Sequence, residues 1–266
     1  MKPLLQVKDL HTHFRTGGGL FAETTWLKAV NGVSFDIHEG EVLSLVGESG
    51  CGKSTVGRTL THLETSNSGQ ALFDGTDILQ MDATAFRPVR RDIQMIFQDP
   101  FASLNPRLTI EATLAEPLFI HGLASSKPEA RDMIADTLEL VGMDTKVMAR
   151  YPHEFSGGQR QRIGIARVMI LKPRLVIADE AVSALDVSIQ AQVLNLIKKL
   201  QRDSGMAMLF ISHDLGVVRH ISDRVAVMYQ GQIVETGDKR QIFEAPVHDY
   251  TRKLLSSIPR IGARVA

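Results

Sequence analysis

The 266-residue sequence predicts an α/β fold with a mostly parallel sheet, an N-terminal antiparallel β part and an inserted helical subdomain. Residues 42–46 are mostly apolar and stop at Gly47, as a buried strand of a parallel sheet does. Residues 175–178 and 208–211 repeat this apolar pattern later in the chain. Residues 107–150, between the first two of these runs, have a mostly helical pattern.

Shorter patterns predict the neighbouring elements. Residues 33–37 alternate apolar and polar side chains, which predicts a half-buried strand, and residues 55–63 have a helical pattern. Three consecutive glycines within 16–26 predict a surface loop. Gly231 separates two short apolar runs, as the turn of a hairpin does.

The helical middle is interpreted as a subdomain of about residues 107–165 within a single domain spanning 1–266. Ser126 and Glu129 have the spacing of a capping box, which predicts a helix start inside this subdomain. Residues from about 236 to 266 are predicted to form a C-terminal helical extension.

Composition excludes several classes of protein. Lys plus Arg and Asp plus Glu both number 30, so a general affinity for nucleic acid is not expected. Cys51 is the single cysteine, which excludes an internal disulfide and a four-cysteine metal site and favours a reducing compartment. The sequence has no apolar run of about eighteen residues, so no membrane span is expected. Polar residues interrupt the first ten positions, so no signal peptide is expected.

A phosphate-binding loop is predicted directly after the first buried strand. The segment has the pattern Gly, four residues, Gly-Lys-Ser/Thr, with a strand before it and a helix after it. Its backbone N–H groups would surround a triphosphate, Lys53 would reach the β- and γ-phosphates, and the Ser54 hydroxyl would bind Mg²⁺. A glycine-rich turn without function is disfavoured by this context. The predicted ATP-binding residues are Gly47, Glu48, Ser49, Gly50, Cys51, Gly52, Lys53, Ser54 and Thr55.

Two further segments carry groups that suit phosphate chemistry. The apolar strand at 175–178 ends in Asp179 and Glu180, which suit the shell of a Mg²⁺ ion and the polarisation of an attacking water. Residues 156–159, Ser-Gly-Gly-Gln, open a helix whose N-terminus can bind an anion. Taken alone, the second segment is better explained as an ordinary capped helix.

The order of these motifs resembles that of the ABC transporter ATPases, from about residue 4 to about residue 258. This resemblance implies a P-loop NTPase core that binds and hydrolyses ATP with Mg²⁺. The shared motifs are the phosphate loop, Gln98, Phe155-Ser156-Gly157-Gly158-Gln159, Asp179-Glu180, Ser183-Ala184-Leu185-Asp186 and His213.

The resemblance also implies residue roles. Gln98 would contact Mg²⁺ and the attacking water, and His213 would hold the γ-phosphate. Ser156 and Gly158, in the segment that ends at Gln159, would contact a γ-phosphate bound by a second ATPase subunit. Asp186 would lie at the seam between the two subunits.

An aromatic side chain stacks on adenine in this family, and two residues compete for that role here. Phe14 and Trp26 flank the glycine-rich segment, and either could instead serve in packing. Two positions depart from the usual pattern: Phe155 replaces Leu before the Ser-Gly-Gly-Gln segment, and Ala181 replaces the Pro that often follows the catalytic Glu. Neither change removes a catalytic group.

Finer motifs resemble the oligopeptide, dipeptide and nickel importer branch. They are residues 96–107, residues 151–154, and the late Pro246, His248 and Tyr250. The branch implies two transmembrane permease subunits, an extracytoplasmic binding protein and a second, identical or related ATPase. Attachment to the cytoplasmic face of a bacterial inner membrane would be through the permeases only. Many members continue into a cysteine-rich tail, and no such cluster is expected here.

Peptides are the favoured cargo, with nickel or another small solute as the alternative within the branch. A soluble, non-transport ABC ATPase is a different class, but such proteins usually carry a long coiled coil or two cassettes. A purely structural subunit is disfavoured because Lys53, Gln98, Glu180 and His213 are all present.

Overall fold

The computed structural model divides into two compact units. The first unit comprises Met1–Leu79 and Leu209–Ala266, and the second comprises Gln80–Met208. The stretches that the structure describes are residues 2–17, 25–99 and 103–257.

The first unit begins with five strands and one helix. These elements are β1 (Leu5–Arg15), β2 (Trp26–Ile37), β3 (Val42–Val46), α1 (Lys53–Leu60), β4 (Ser68–Phe73) and β5 (Thr76–Asp77). Four of the strands form an antiparallel sheet in the order β2-β1-β4-β5. Strand β1 pairs antiparallel with β2 on one side and with β4 on the other. Buried side chains alternate along β1 at Leu5 and Val7 and again at Leu10 and Thr12, with an irregularity in the strand register between the two pairs. The predicted N-terminal antiparallel part is therefore confirmed.

The second unit is mostly helical. Its elements are α2 (Ala83–Asp92), β6 (Ile93–Ile96), α3 (Ile110–Ile120), α4 (Lys127–Leu140), α5 (Gly157–Met169), β7 (Leu175–Asp179) and α6 (Val187–Ser204). Strands β6 and β7 pair in parallel, and all five residues of β7 are buried. Buried strands of this kind position the residues at their carboxyl ends, which is where Asp179 lies.

The first unit resumes near the start of β8. Its late elements are β8 (Ala207–Ser212), α7 (Leu215–Ile221), β9 (Arg224–Tyr229), β10 (Gln232–Asp238), α8 (Lys239–Glu244) and α9 (Asp249–Ser256). Strand β3 pairs in parallel with β9, which forms an antiparallel hairpin with β10. The order β10-β9-β3-β8 places β3 between β9 and β8. The predicted α/β class and the hairpin at Gly231 are confirmed.

Two local predictions need correction. Helix α1 runs from Lys53 to Leu60 rather than over 55–63. His62 takes a left-handed backbone, with φ of 56°, and the Leu63 N–H donates to the Arg58 carbonyl at 2.9 Å. These features are those of a Schellman turn, which ends the helix three residues early.

The capping box at α4 is also only half formed. Ser126 accepts a hydrogen bond from the Glu129 N–H, as predicted. In a complete capping box, the Glu129 carboxylate would accept a hydrogen bond from the Ser126 N–H. Here it accepts instead from the backbone N–H and the hydroxyl of Ser125, at 2.8 and 2.7 Å. These bonds hold the pKa of Glu129 below its usual range. No helix in the described parts of the chain is long and apolar enough to cross a membrane.

Candidate functional site

The predicted phosphate loop lies between β3 and α1 in the first unit. All five residues of β3 are buried, and the chain leaves the strand at Gly47. Helix α1 begins after Gly52, which forms no side-chain cap. A helix N-terminus without a side-chain cap presents its backbone N–H groups to an anion. Ser54 and Thr55 lie half-buried in this first turn.

Backbone contacts explain the glycines at both ends of the loop. A Cβ on Gly47 would lie 2.2 Å from the Met228 carbonyl oxygen. A Cβ on Gly52 would lie 1.9 Å from the Ala29 carbonyl oxygen, and φ at this residue is 106°. Other residues therefore cannot occupy these positions without a backbone shift. Strands β2 and β9 thus define the path of the loop.

Lys53 lies beneath the loop and is only 4% exposed. Its Nζ donates to the carbonyl oxygens of Gly47 and Glu48, at 2.8 and 2.9 Å. The Cys51 Sγ is 3.8 Å from the same nitrogen. Burial raises the pKa of the Cys51 thiol, although the Lys53 charge acts in the opposite direction. The loop therefore holds a buried cation next to a helix N-terminus that has no side-chain cap, which fits a phosphate ligand.

The aromatic candidates and His213 also belong to the first unit. Trp26 is 55% exposed at the start of β2, whereas Phe14 is half-buried near the end of β1. Ala29, which contacts the loop, lies three residues beyond Trp26 on the same strand. The choice of adenine contact stays a prediction. His213 is exposed directly after β8, next to the Asp214 cap of α7.

The two predicted carboxylates lie at the end of β7 in the second unit. Asp179 is the last strand residue and is 2% exposed. Glu180 follows with φ of 46°, a left-handed conformation that costs about 1–2 kcal/mol in a non-glycine residue. Ser183 stabilises this turn because its N–H and its hydroxyl both donate to the Glu180 carbonyl, at 3.1 and 2.9 Å. Strained backbone of this kind recurs at functional sites, although His62 shows that it also ends helices in this chain.

The Ser-Gly-Gly-Gln segment begins α5 with a complete capping box. The Ser156 hydroxyl accepts from the Gln159 N–H, and the Gln159 side-chain oxygen accepts from the Ser156 N–H at 3.0 Å. A Cβ on Gly158 would lie 2.4 Å from Cγ2 of Ile189 on α6. A Cβ on Gly157 would lie 3.7 Å from Leu185, an ordinary contact distance. Close packing on α6 therefore supplies a structural reason for Gly158 but not for Gly157.

Gln98 and Asp186 are exposed in the second unit. Gln98 lies two residues after β6 ends, and Asp186 is the N-cap of α6 without a side-chain cap bond. Phe155 is buried, consistent with an apolar anchor before the Ser-Gly-Gly-Gln segment. Ala181 is buried as well. Within the importer-branch motif at 96–107, residues 100–102 lie outside the described residues.

Two long-range contacts to these loops were not predicted. The Arg167 guanidinium on α5 donates to the Ser103 carbonyl at 2.6 Å. Burial lowers the pKa of Arg167. The Glu48 N–H in the phosphate loop donates to the Tyr250 hydroxyl at 3.1 Å. The only sequence signal for the second contact was the presence of Tyr250 in a branch motif.

A buried strand, a glycine loop over a buried lysine and an uncapped helix N-terminus define a nucleotide-binding protein of the phosphate-loop class. A family model described as "ABC transporter" matches residues 30–183, more than half of the chain. The chain therefore belongs to the ABC transporter family. A second model, described as "Oligopeptide/dipeptide transporter, C-terminal region", matches residues 234–266.

Curated relatives agree with both family models. The chain is 56% identical to a glutathione import ATP-binding protein GsiA of Pectobacterium atrosepticum, over 97% of this chain and 41% of that protein. It is 52% identical to the oligopeptide transport ATP-binding protein AppF of Bacillus subtilis, over 96% of this chain and 78% of that protein. The chain thus spans about 41% of the length of the glutathione import relatives that it matches.

Solved structures of ATP-binding cassettes are also similar. One is a dimeric post-hydrolysis state of the cassette MJ0796 bound to ADP and Pi, with a TM-score of 0.79 and 27% identity over 89% of this chain and 99% of that chain. Another is cbiO1 from Clostridium perfringens, part of the ABC transporter complex cbiONQ, with a TM-score of 0.78. It is 26% identical over 98% of each chain.

Two glycine substitutions test the geometry of the loop. Gly52→Ala should abolish ATP binding because the new methyl group meets the Ala29 carbonyl and forces the loop to move. Gly50→Ala is the matched control, since it shares a positive φ of 80° but its Cβ meets nothing within 4 Å. The control should cost about 1–2 kcal/mol of backbone strain and retain measurable binding. Calorimetric titration with ATP would contradict this geometry if both variants bound equally.

Proposed function

We propose that this chain is the ATP-binding and ATP-hydrolysing subunit of an ABC transporter that imports peptides across a bacterial inner membrane. The phosphate loop is the observation that carries the proposal. Its buried Lys53 ammonium donates to two neutral backbone carbonyls and lies near the Cys51 sulfur, and a triphosphate would supply negative charge next to it. The names of the GsiA and AppF relatives support peptide import.

The residues of the loop suit the phosphates of ATP. Backbone N–H groups of the loop between Gly47 and Thr55, other than those of Glu48 and Cys51, which bond within the protein, would bind the phosphates. Lys53 would stabilise charge on the β- and γ-phosphates. Phe14 or Trp26 would stack on adenine. The ADP and Pi in the similar MJ0796 cassette support a nucleotide at this loop.

The donor set suits Mg²⁺ as well. Asp179 offers a buried carboxylate and Ser54 a hydroxyl, the oxygen ligands that this ion prefers. Ser54, Asp179 and Gln98 would hold the ion, which, when bound, would neutralise phosphate charge. Glu180 would accept a proton from the attacking water, and His213 would orient the γ-phosphate.

The second proposed role of the chain is to complete a partner's ATP site. Ser156, Gly157, Gly158 and Gln159 begin a helix whose dipole favours an anion. Asp186 would lie at the seam between two ATPase subunits. The dimeric state of the MJ0796 cassette supports this arrangement. The second subunit would be a copy of this chain or a related protein.

The remaining proposed partners follow from the transporter class. Two permease subunits would form the membrane path, and an extracytoplasmic binding protein would deliver the cargo. The chain would be peripheral, held at the cytoplasmic face of the membrane through the permeases, and would not bind nucleic acid.

Uptake measurements test the cargo. Deleting the gene for this chain should reduce uptake of labelled glutathione or dipeptides, and a wild-type copy should restore it. Labelled Ni²⁺ uptake is the control and should be unchanged. Loss of Ni²⁺ uptake with normal peptide uptake would favour the nickel alternative. No change in either, together with ATP hydrolysis by the purified chain, would favour the non-transport class.

Glu180→Gln tests the chemical step. The amide keeps the shape of the side chain but cannot take a proton near neutral pH. ATP affinity should stay close to wild type, whereas turnover at the site built on this loop should fall by about 10²–10⁴. Glu139→Gln, which changes an exposed carboxylate on α4, is the control. Normal single-site turnover by Glu180→Gln would exclude Glu180 as the base.

Ser156→Arg tests the shared site. A bulky cation at this helix start should impair hydrolysis in the assembled transporter while sparing ATP binding by the lone chain. Ser126→Arg is the matched control because Ser126 caps α4 through the same type of bond, 3.4 Å long in both helices. Both variants lose about 1 kcal/mol of capping. Equal hydrolysis rates in the two assembled variants would contradict a shared site.

A further inference from the structure

The C-terminal helix α9 contacts the phosphate loop through one hydroxyl group. Tyr250 is 8% exposed, and its hydroxyl accepts the hydrogen bond from the Glu48 N–H, across 202 positions of sequence. Burial raises the pKa of Tyr250. Glu48 is the first loop residue after Gly47, where the chain leaves β3.

Tyr250 is fixed in place by its neighbours in the same unit. Its ring packs on the Tyr229 ring of β9, with centroids 4.2 Å apart. Its N–H donates to Nδ1 of His248, which begins α9. The carboxylate of Glu235 on β10 accepts from the N–H groups of Val247 and His248, at 2.8 and 3.0 Å. Both strands of the hairpin therefore orient the hydroxyl.

The same hairpin also contacts the far end of the loop. The Gly231 N–H, at the hairpin turn, donates to the Cys51 carbonyl at 3.0 Å. Gly231 has φ of 83°, and a Cβ there would lie 2.8 Å from the Lys28 carbonyl oxygen. The loop backbone is thus hydrogen-bonded near both ends, at Glu48 and at Cys51, by the C-terminal part of the chain.

We propose that Tyr250 is a positioning residue that pre-organises the phosphate loop for ATP. The hydroxyl satisfies the Glu48 N–H within the protein. Phosphate is therefore left to the loop amides that face it. A loop already held in its binding geometry loses less conformational freedom when ATP binds. This inference rests on the proposed ATP binding. Because Glu235, His248 and Tyr250 all lie within the matched C-terminal region, it assigns that region a part in nucleotide affinity.

Tyr250→Phe isolates the hydroxyl because the ring can still pack on Tyr229. In the full chain, ATP affinity measured by calorimetry should fall about 2- to 10-fold, the usual effect of one hydrogen bond. Hydrogen exchange at the Glu48 N–H, measured without nucleotide, should become faster. Tyr229→Phe is the matched control, since it removes a hydroxyl that accepts from the exposed side chain of Gln230. In Tyr229→Phe, ATP affinity and hydrogen exchange at the Glu48 N–H should both stay close to wild type.

The outcomes separate this inference from the proposed function. Wild-type affinity and wild-type Glu48 exchange in Tyr250→Phe would overturn it. Equal loss of affinity in both Tyr→Phe variants would also overturn it, because packing of the ring pair alone would then explain the effect. If wild type binds no ATP but Tyr250→Phe speeds Glu48 exchange, the loop contact stands and the proposed function fails.

Discussion

The buried ammonium of Lys53 is the feature on which the candidate site depends. A cation removed from water is costly unless neighbouring groups replace its hydration. Here two loop carbonyls, from Gly47 and Glu48, accept its hydrogen bonds. Among the described residues of the first unit, no carboxylate forms an ion pair with it. An anionic ligand bound at the loop would neutralise this charge, and the loop curves closely around it.

That curvature explains why distant parts of the first unit meet at the loop. Gly47 and Gly52 lie too close to the carbonyls of Met228 and Ala29 for any side chain to fit. The hairpin turn at Gly231 then bonds the loop from the C-terminal side. The conformation of this eight-residue loop is therefore held by three parts of the first unit: the antiparallel N-terminal part, β3 and the C-terminal hairpin.

The sequence predicts local chemistry better than long-range contacts. The phosphate loop, the Ser156 cap and the Asp179-Glu180 pair were recognisable because each motif is contiguous and its neighbours determine its conformation. The Tyr250 contact with Glu48 was missed because the fold, and not the local sequence, joins residues so far apart. Helix α1 was placed too long because His62, unlike glycine, gives no clear signal for a left-handed turn.

The adenine contact and the residues at the subunit seam are not determined by local sequence. The choice between Phe14 and Trp26 could not be made from sequence, because both flank the same glycine-rich segment, of which residues 18–24 lie outside the described residues. The roles of Ser156 and Asp186 require a second subunit. Their placement at the starts of α5 and α6 is compatible with those roles, but packing of Gly158 on Ile189 gives this segment a structural function too.

Replacing the buried ammonium tests whether its charge is required for ATP hydrolysis. Lys53→Met keeps an unbranched side chain of similar length in the buried position but removes its charge, and Lys199→Met changes an exposed lysine as a control. Steady-state ATP hydrolysis by the assembled transporter, with thermal unfolding as a check of folding, is the measurement. Lys53→Met should be folded and lose about 10²–10³ in rate, whereas the control should match wild type. Near wild-type hydrolysis by folded Lys53→Met would contradict the account.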